Sequence, residues 1–291
     1  MQEFIEKYFK IGHDASATLI VTLIIFILGY AISAIVYILS RYFNRRSHRK
    51  MFINNLLGLN KAIKAQENGF LATLKSMNFE ENTFWVYDKV DFFQLSAFRE
   101  IGYKDSFKSF FYGIENMLPS CTKKNLKRKA FNRAWSIFSN SEFWSNKALN
   151  DYYQNLEKYN QFGDKRNTAI NGLRIFWEGL FSVDPNVIGE DHRKYLNELS
   201  QIIVEYAKIP TKKRVGPYVT NRKLILKIRL LNKKYPTLFF IRQINDKCME
   251  ASSAYIDMEY LVRNIKSQCK VYYYSFREFN KTINKVIRIL K

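Results

Sequence analysis

The chain has few cysteines, and their positions exclude two kinds of site. The sequence contains only Cys121, Cys248 and Cys269, and none has a second cysteine or a histidine at metal-ligand spacing. An odd number of widely separated cysteines argues against a disulfide framework. We therefore expect free thiols in a reducing compartment.

Catalytic and cofactor-binding motifs are also missing. The sequence has no P-loop, no Rossmann fingerprint and no His-Glu-x-x-His zinc motif, so we predict no cofactor and no metal. His192 is expected to be an exposed helix residue. The residue types of a metal nuclease occur in one stretch: Asp184, Glu190, Asp191 and Lys194. Such a site needs carboxylates on adjacent strands, whereas a loop and a helix are expected here. The sequence favours a non-enzymatic protein, with an enzyme of unrecognised site as an alternative.

Acidic residues are scarce relative to basic ones. Aspartate and glutamate number 26 against 47 lysines and arginines, which gives a formal net charge of +21. Such an excess favours anionic partners: nucleic acid, anionic lipid or an acidic protein. Membrane-facing cytoplasmic domains are also often basic, because the facing leaflet is anionic. Since 47% of the residues are apolar, most of the chain can bury a core.

One long stretch lacks charge altogether. Between Asp14 and Arg41 no residue is charged. This run, residues 15–40, would extend roughly 39 Å as a helix, more than the ~30 Å hydrocarbon core of a bilayer. A cleavable signal peptide is the main alternative, with residues 31–33 as a small-residue cleavage motif. The segment before the run is not net positive, and the run is too long for a signal peptide. We predict a transmembrane helix over residues 15–40.

The flanking charges predict the orientation of this helix. The segment before the run carries both signs, whereas five basic residues follow it closely: Arg41, Arg45, Arg46, Arg49 and Lys50. The positive-inside rule places such a basic flank in the cytoplasm. We therefore expect residues 1–14 to lie outside and everything from about residue 41 onward to be cytoplasmic, with a single pass. The abundance of Lys, Asn, Ile, Phe and Tyr suits an AT-rich genome, and a bacterial inner membrane is the expected setting.

The rest of the chain is predicted to be all-α. A basic collar and long juxtamembrane helix are expected over 41–77, a helical domain over 78–209 and a basic helical extension over 210–291. Residues 84–93 are aromatic and partly alternating, as in a short strand or a buried loop. Asp105 is expected to cap a helix that Pro119 ends. Further helix ends are expected at Gly163-Asp164, at Asp184-Pro185-Asn186 and in the Pro210–Pro217 stretch, and a separate final helix after about Lys270.

Two features predict a homo-oligomer. Gly29 and Ser33 form a small-xxx-small pair that would allow close helix approach in lipid. Below the membrane, apolar residues follow a four-three alternation, as in a coiled-coil seam: Phe52, Leu56, Leu59, Ile63 and Phe70, with Gln66 among them. In a parallel seam Gln66 could pair with its own copy. The alternative is that this helix packs on the rest of its own domain.

The basic residues form ridges on predicted helices. The residues selected as anion-binding candidates are four in the collar and eight farther along the chain: Arg45, Arg46, Arg49 and Lys50, and Lys212, Lys213, Arg214, Lys223, Lys227, Arg277, Lys281 and Lys285. These basic ridges are open to three interpretations: solvated faces, contacts with lipid head groups, or contacts with a nucleic-acid backbone. No RNA- or DNA-binding motif supports the last.

A short stretch resembles a known family. Phe92-Phe93-Gln94-Leu95, followed by Lys104-Asp105-Ser106-Phe107, is similar to part of the phage abortive-infection membrane proteins of bacteria. The resemblance implies N-terminal membrane helices, a cytoplasmic helical domain and a role in defence. This chain departs from that pattern, with one membrane helix where two are expected. The resulting hypothesis is a membrane-anchored, self-associating helical protein with a basic cytoplasmic surface. The resemblance adds the hypothesis that it acts as a defence effector. A tethered nucleic-acid-binding module is the alternative.

The charge asymmetry generates a test of topology. We expect a reporter fused after Lys291 to be active only if it is a cytoplasmic reporter such as green fluorescent protein, because the basic flank follows the apolar run. Alkaline phosphatase fused at the same place should be inactive. High phosphatase activity with no fluorescence would show the opposite orientation.

Overall fold

The computed structural model describes residues 2–9, 13–79, 90, 94–112, 121–184, 189–214 and 216–291. These residues form helices and connecting turns, with no strand among them, so the prediction of an all-α protein is confirmed. The expected strand or loop over 84–93 falls outside the described residues, apart from Val90. The helix end expected at Pro119 falls outside them as well.

Long helices dominate the chain. They are α2 (His13–Ser76), α5 (Cys121–Phe181) and α10 (Ile241–Leu290), and a short α1 (Gln2–Phe9) precedes them. The expected helix from residue 41 to about 77 is confirmed, and it continues the apolar run without interruption. Most of the described side chains of that run are exposed in the chain by itself. By length and composition, α2 could therefore cross a membrane.

Shorter helices connect the long ones. They are α3 (Gln94–Ile101), α4 (Tyr103–Phe111), α6 (Glu190–Ala207), α7 (Thr211–Arg214), α8 (Pro217–Thr220) and α9 (Leu226–Lys234). A π-helical turn, Asn221–Ile225, joins α8 to α9. The helix expected around Glu190 and Lys194 is confirmed as α6.

Two expected helix breaks are absent. The stop expected at Gly163-Asp164 lies inside α5, which is continuous from Cys121 to Phe181. A glycine in a helix interior costs only about 1 kcal/mol relative to alanine, which packing on either side readily offsets. The prediction of a separate final helix after about Lys270 is also wrong, since α10 runs unbroken from Ile241 to Leu290. Its buried side chains keep helical spacing through residues 265–276, so nothing interrupts the packed face.

Gly102 sets the angle between α3 and α4. Its φ of 69° and ψ of 152° lie in a region that only glycine adopts readily. Its N–H donates to the Phe98 carbonyl (3.2 Å), and its own carbonyl accepts from the Ser106 N–H (3.3 Å). The expectation that Asp105 caps this helix is wrong, because Gly102 occupies the cap position and Asp105 lies within the first turn.

The chain divides into two compact units that are discontinuous in sequence. Unit 1 contains residues 1–59, 93–138 and 283–291, and unit 2 contains 60–92 and 139–282. The sequence boundary expected at residue 210 does not separate two hydrophobic cores. In unit 2, side chains from both sides of that point share one cluster, among them Leu173, Tyr195 and Leu199 with Ile228 and Ile244.

Unit 1 is built around aromatic rings. The Phe52 side chain of α2 is fully buried. Its ring makes edge contacts with Phe98 of α3 (5.2 Å between centroids) and Phe110 of α4 (5.4 Å), and it stacks on Phe131 of α5 (5.2 Å). Such pairs add to the free energy gained by burying apolar area. This aromatic cluster of Phe52, Phe98, Phe110 and Phe131 joins four helices.

Unit 2 contains a series of side-chain hydrogen bonds within its apolar core. The Tyr195 hydroxyl of α6 donates to Asn232 Oδ1 (2.9 Å), and Asn232 Nδ2 donates to Asn245 Oδ1 (2.7 Å). Burial raises the pKa of the Tyr195 hydroxyl above its usual value, so the group stays protonated and donating. The network therefore satisfies polar groups that would be costly if left unpaired.

The cysteines that can be described are buried thiols. Cys248 and Cys269 are free and fully buried. Burial in apolar surroundings raises the pKa of each thiol to about 12, because it penalises the charged thiolate. Both are therefore protonated at neutral pH and unsuited to nucleophilic attack.

Truncating Phe52 tests the role of the aromatic cluster. We expect Phe52→Ala to destabilise unit 1 by about 3–5 kcal/mol, because it removes the ring on which α3, α4 and α5 converge. Its neighbour Met51 is largely exposed, so Met51→Ala should change stability little. Thermal unfolding of the full chain in neutral detergent, followed by near-UV circular dichroism, measures both. Equal melting temperatures for the two variants would contradict this assignment.

Candidate anion-binding cleft in the basic collar

The basic collar, residues 41–50, places its cations on different sides of α2. Arg41, Arg45 and His48 follow one another at helical spacing and share a face. Arg46 and Lys50 point away from that face, since they lie about 100–180° around the helix from Arg45 and Arg41. Arg45 and His48 are half-buried, whereas Arg46 and Lys50 are exposed. The collar therefore has an inner face and an outer face.

The inner face meets α4 across a cleft of about 470 Å³. The collar and α4 both belong to unit 1. We call this space the collar cleft. Its lining residues are Arg41, Asn44, Arg45 and His48 of α2, Asp105, Lys108 and Ser109 of α4, and Tyr112, which directly follows α4. The volume is in the range of small-ligand sites.

The cations of the collar cleft are weakly engaged within the chain. The Lys108 ammonium lies 3.9 Å from the Asp105 carboxylate, and both side chains are more than half exposed. Such a long, exposed ion pair contributes little free energy. The Arg41 guanidinium lies over the Tyr37 ring, 4.4 Å from its centroid. Among the residues that the structure describes, Arg45 has no carboxylate within ion-pair distance. The cleft thus presents donors with little internal competition.

The neutral groups in the cleft differ in what they can offer. The Ser109 hydroxyl is buried and donates to the Ser106 carbonyl (2.6 Å), so its proton is already used. Tyr112 is 58% exposed and ends α4 at the rim of the cleft. Asn44 is also exposed. Tyr112 and Asn44 can therefore donate to a ligand, whereas Ser109 cannot.

Other predicted anion-binding residues remain on exposed helix faces. Lys223, Arg277 and Lys285 are exposed, and Arg49 of the collar is half-buried. The side chains of Lys212 and Lys213 fall outside what the structure describes. None of the ridge residues that the structure describes lines the collar cleft.

Several ridge cations are engaged within the chain. Lys227 of α9 pairs with Glu205 of α6 (2.5 Å), and its hydrogen bond lowers the pKa of the Glu205 carboxyl below its usual value. Lys281 pairs with Glu278 (2.7 Å). Arg214 donates to the Ala207 carbonyl (3.1 Å). The two ion pairs offset positive charge, and the Arg214 contact occupies one of its donors, so the collar is the better candidate.

The residues expected to form an intermolecular seam are buried within the single chain. Phe52, Leu56, Leu59 and Ile63 have no exposed surface. A seam between copies needs side chains that are exposed in each copy, so this part of the oligomer prediction is wrong. The four-three spacing instead reflects packing of α2 on its own domain, which was the alternative.

Gln66 has an intramolecular partner as well. Its side chain is buried, and its Oε1 accepts a hydrogen bond from the Val90 N–H (2.9 Å), both within unit 2. The expected pairing between copies is therefore not needed to satisfy this amide. Gly29 and Ser33, by contrast, are exposed on α2, and a Cβ placed on Gly29 would meet nothing within 4 Å. The small-residue face remains accessible.

The residues considered for catalysis make contacts within the fold. His192 is buried rather than exposed, with its ring 4.8 Å from Phe240, and burial lowers its pKa below the usual value. Glu190 pairs with Lys194 one turn along α6 (2.6 Å). Among the described residues, no three His, Cys, Asp or Glu side chains lie close enough to hold a metal ion.

The collar cleft contains residues that the sequence did not select as site residues. Lys108 and Asp105 lie at helical spacing on α4, and Tyr112 directly follows it, but the sequence does not show which helix faces the collar. Arg41 was used only to orient the membrane helix. The periodic polar face of α4 was the available signal, and it became meaningful only with the packing of α4 on α2.

Comparison of the chain with known protein families, with curated proteins and with solved structures found no match.

Proposed function

We propose that the chain is a single-pass, membrane-anchored helical protein that presents a basic cytoplasmic surface to anionic phosphate groups at the membrane and self-associates. In this proposal the N-terminus lies outside a bacterial inner membrane and residues from 41 onward lie in the cytoplasm. Membrane lipid and a second copy of the chain are the partners. The resemblance of Phe92–Phe107 to abortive-infection proteins favours a role as a defence effector.

One observation carries the proposal. The exposed apolar run, the basic collar and the buried part of α2 belong to one continuous helix, His13–Ser76. A helix that is apolar all round and uncovered is suited to lipid rather than water. Because Phe52 fixes the same helix in the aromatic cluster, the collar is held directly below the expected membrane surface.

The position of the collar favours lipid over nucleic acid as the anion. The collar begins at the first residue after the apolar run, where the phosphates of the cytoplasmic leaflet would lie. Each basic residue close to an anionic leaflet contributes about 1 kcal/mol of attraction. The ridges farther along the chain, where nucleic acid could bind, are in part neutralised by Glu205 and Glu278.

The lipid proposal predicts what the protein retains on purification. We expect the full chain, extracted from bacterial membranes in neutral detergent, to retain anionic phospholipid above its proportion in the membrane. Retention should fall as sodium chloride rises from 0.1 to 0.5 M, since salt screens exposed charges. Lipid analysis and absorbance at 260 nm measure the two candidate anions. Retained nucleic acid in place of anionic lipid would favour the tethered nucleic-acid-binding module.

Self-association is proposed to use the face of Gly29 and Ser33. We expect Gly29→Ile to shift the full chain in mild detergent from oligomer to monomer, because the branched side chain prevents close helix approach. Ala31→Ile places the same side chain about 200° around the helix and serves as the matched control. Light scattering with detergent correction gives the mass. A monomeric wild-type chain, or equal masses for the two variants, would contradict this contact.

A further inference from the structure

The proposed membrane anchorage of α2 would place the collar cleft at the depth of a lipid head group. The cleft begins at Arg41, the first residue after the apolar run, and extends to His48, about 10 Å farther along the helix axis. The head-group layer of one leaflet is roughly 5–7 Å thick, from the difference between the hydrocarbon core and the whole bilayer. If α2 spans the membrane as proposed above, the mouth of the cleft opens among the phosphates of the cytoplasmic leaflet.

The cleft brings together cations from two helices. Arg41 and Arg45 come from α2, and Lys108 comes from α4, which the aromatic cluster and Gly102 hold in place. Arginine offers a planar fork of donors that matches two phosphate oxygens, whereas lysine supplies a compact charge. Arg45 is half-buried, so part of the cost of desolvating its guanidinium is already met by folding. Convergent donors of this kind suit a single phosphate better than an extended chain of phosphates.

Asp105 makes the cleft selective among phosphates. Its carboxylate lines the same space and would repel a doubly charged phosphate monoester. The same carboxylate would accept hydrogen bonds from hydroxyl groups next to a phosphodiester. Because Lys108 and Asp105 are only loosely paired at 3.9 Å, both can turn toward such a ligand. The combination fits a phosphodiester that carries a polyol.

We infer that the collar cleft binds the head group of an anionic phospholipid with a polyol, such as phosphatidylglycerol. The phosphate lies between Arg41, Arg45 and Lys108, and the head-group hydroxyls face Asp105. This inference rests on the proposed membrane anchorage of α2. It goes beyond general attraction to an anionic leaflet, since it assigns one lipid to one built site.

The acyl chains explain why a lipid is preferred over free phosphate. Directly above the cleft, Tyr37 and Ile38 present exposed apolar surface on α2. A lipid whose head group occupies the cleft would lay its chains along this surface. Tyr37 also holds the Arg41 guanidinium at the level of the interface, where tyrosine is favoured. Soluble glycerophosphoglycerol, a phosphodiester with the same head-group chemistry, lacks this contact.

The outer face of the collar provides the matched control. Arg45→Gln removes one charge from the cleft, and Arg46→Gln removes one charge from the adjacent residue, which does not line it. Arg45 is half-buried and Arg46 is exposed, so neither substitution should unfold the chain. Circular dichroism of each variant checks that it is folded. The full-length protein in neutral detergent is titrated with phosphatidylglycerol or phosphatidylcholine, and native mass spectrometry counts the bound lipids.

The expected result is one tightly bound phosphatidylglycerol per chain in the wild-type protein. Arg45→Gln should weaken the first binding step by about tenfold, as expected for loss of a charge-assisted hydrogen bond, and Arg46→Gln by less than about twofold. Adding Lys108→Gln to Arg45→Gln should abolish the distinct first step. Equal weakening by Arg45→Gln and Arg46→Gln would overturn the cleft and leave only general attraction by the collar.

Three further arms separate the alternatives. Glycerophosphoglycerol, the soluble phosphodiester head group, should not displace the lipid at millimolar concentration and matched ionic strength; displacement would reassign the cleft to a free phosphodiester. A short duplex DNA should bind Arg45→Gln and Arg46→Gln equally, and a selective loss with Arg45→Gln would reassign it to nucleic acid. Asp105→Ala should reduce the preference for phosphatidylglycerol over phosphatidic acid, and an unchanged preference would overturn the role of Asp105.

Failure of the anchor can be told apart from failure of the cleft. Extraction of bacterial membranes with alkaline carbonate leaves a spanning protein in the pellet. If the wild-type chain is released, the proposed membrane anchorage fails, and the lipid inference fails with it. If the chain stays in the pellet while the cleft variants bind lipid like the wild type, only the cleft inference fails.

Discussion

The packing of Phe52 between Phe98, Phe110 and Phe131 determines where the collar cleft of this protein lies. Phe52 stands on the same helix as the apolar run, only a few turns below it. Burying its ring fixes α4 beside the collar, and this position creates the cleft. An aromatic contact with no charge of its own therefore decides which cations lie opposite which. Without it, the collar would be a basic stretch of helix with no defined partner face.

The large excess of positive charge is less informative than its local pairing. On α9 and α10, the carboxylates of Glu205 and Glu278 engage Lys227 and Lys281, so these basic ridges are in part internally compensated. In the collar cleft, the corresponding pair is the longer contact between Lys108 and Asp105. Net charge attracts anions over the whole surface, whereas specificity needs donors that converge and are not already satisfied.

Helix length was the property for which local sequence signals were least reliable. Gly163 predicted a helix end, yet α5 continues through it, because a glycine lowers helix stability by an amount that tertiary packing exceeds. Gly102, in contrast, lies where one helix ends and the next begins. Its positive φ makes a corner between α3 and α4, and no short-range pattern distinguished it from the glycine inside α5. The two cases differ in packing partners, which the local sequence does not specify.

The sequence by itself determined the all-helical class, the uncharged run and the basic collar that follows it, because helical periodicity, the absence of charge and the presence of arginine are local properties. It also showed the four-three spacing through Phe52 and Leu56, but spacing alone is compatible with packing between copies or within one chain. Only the tertiary structure decided that these side chains are buried in their own domain. It alone placed Lys108 and Asp105 opposite Arg45, since residues so far apart in the chain meet only when the aromatic cluster brings their helices together.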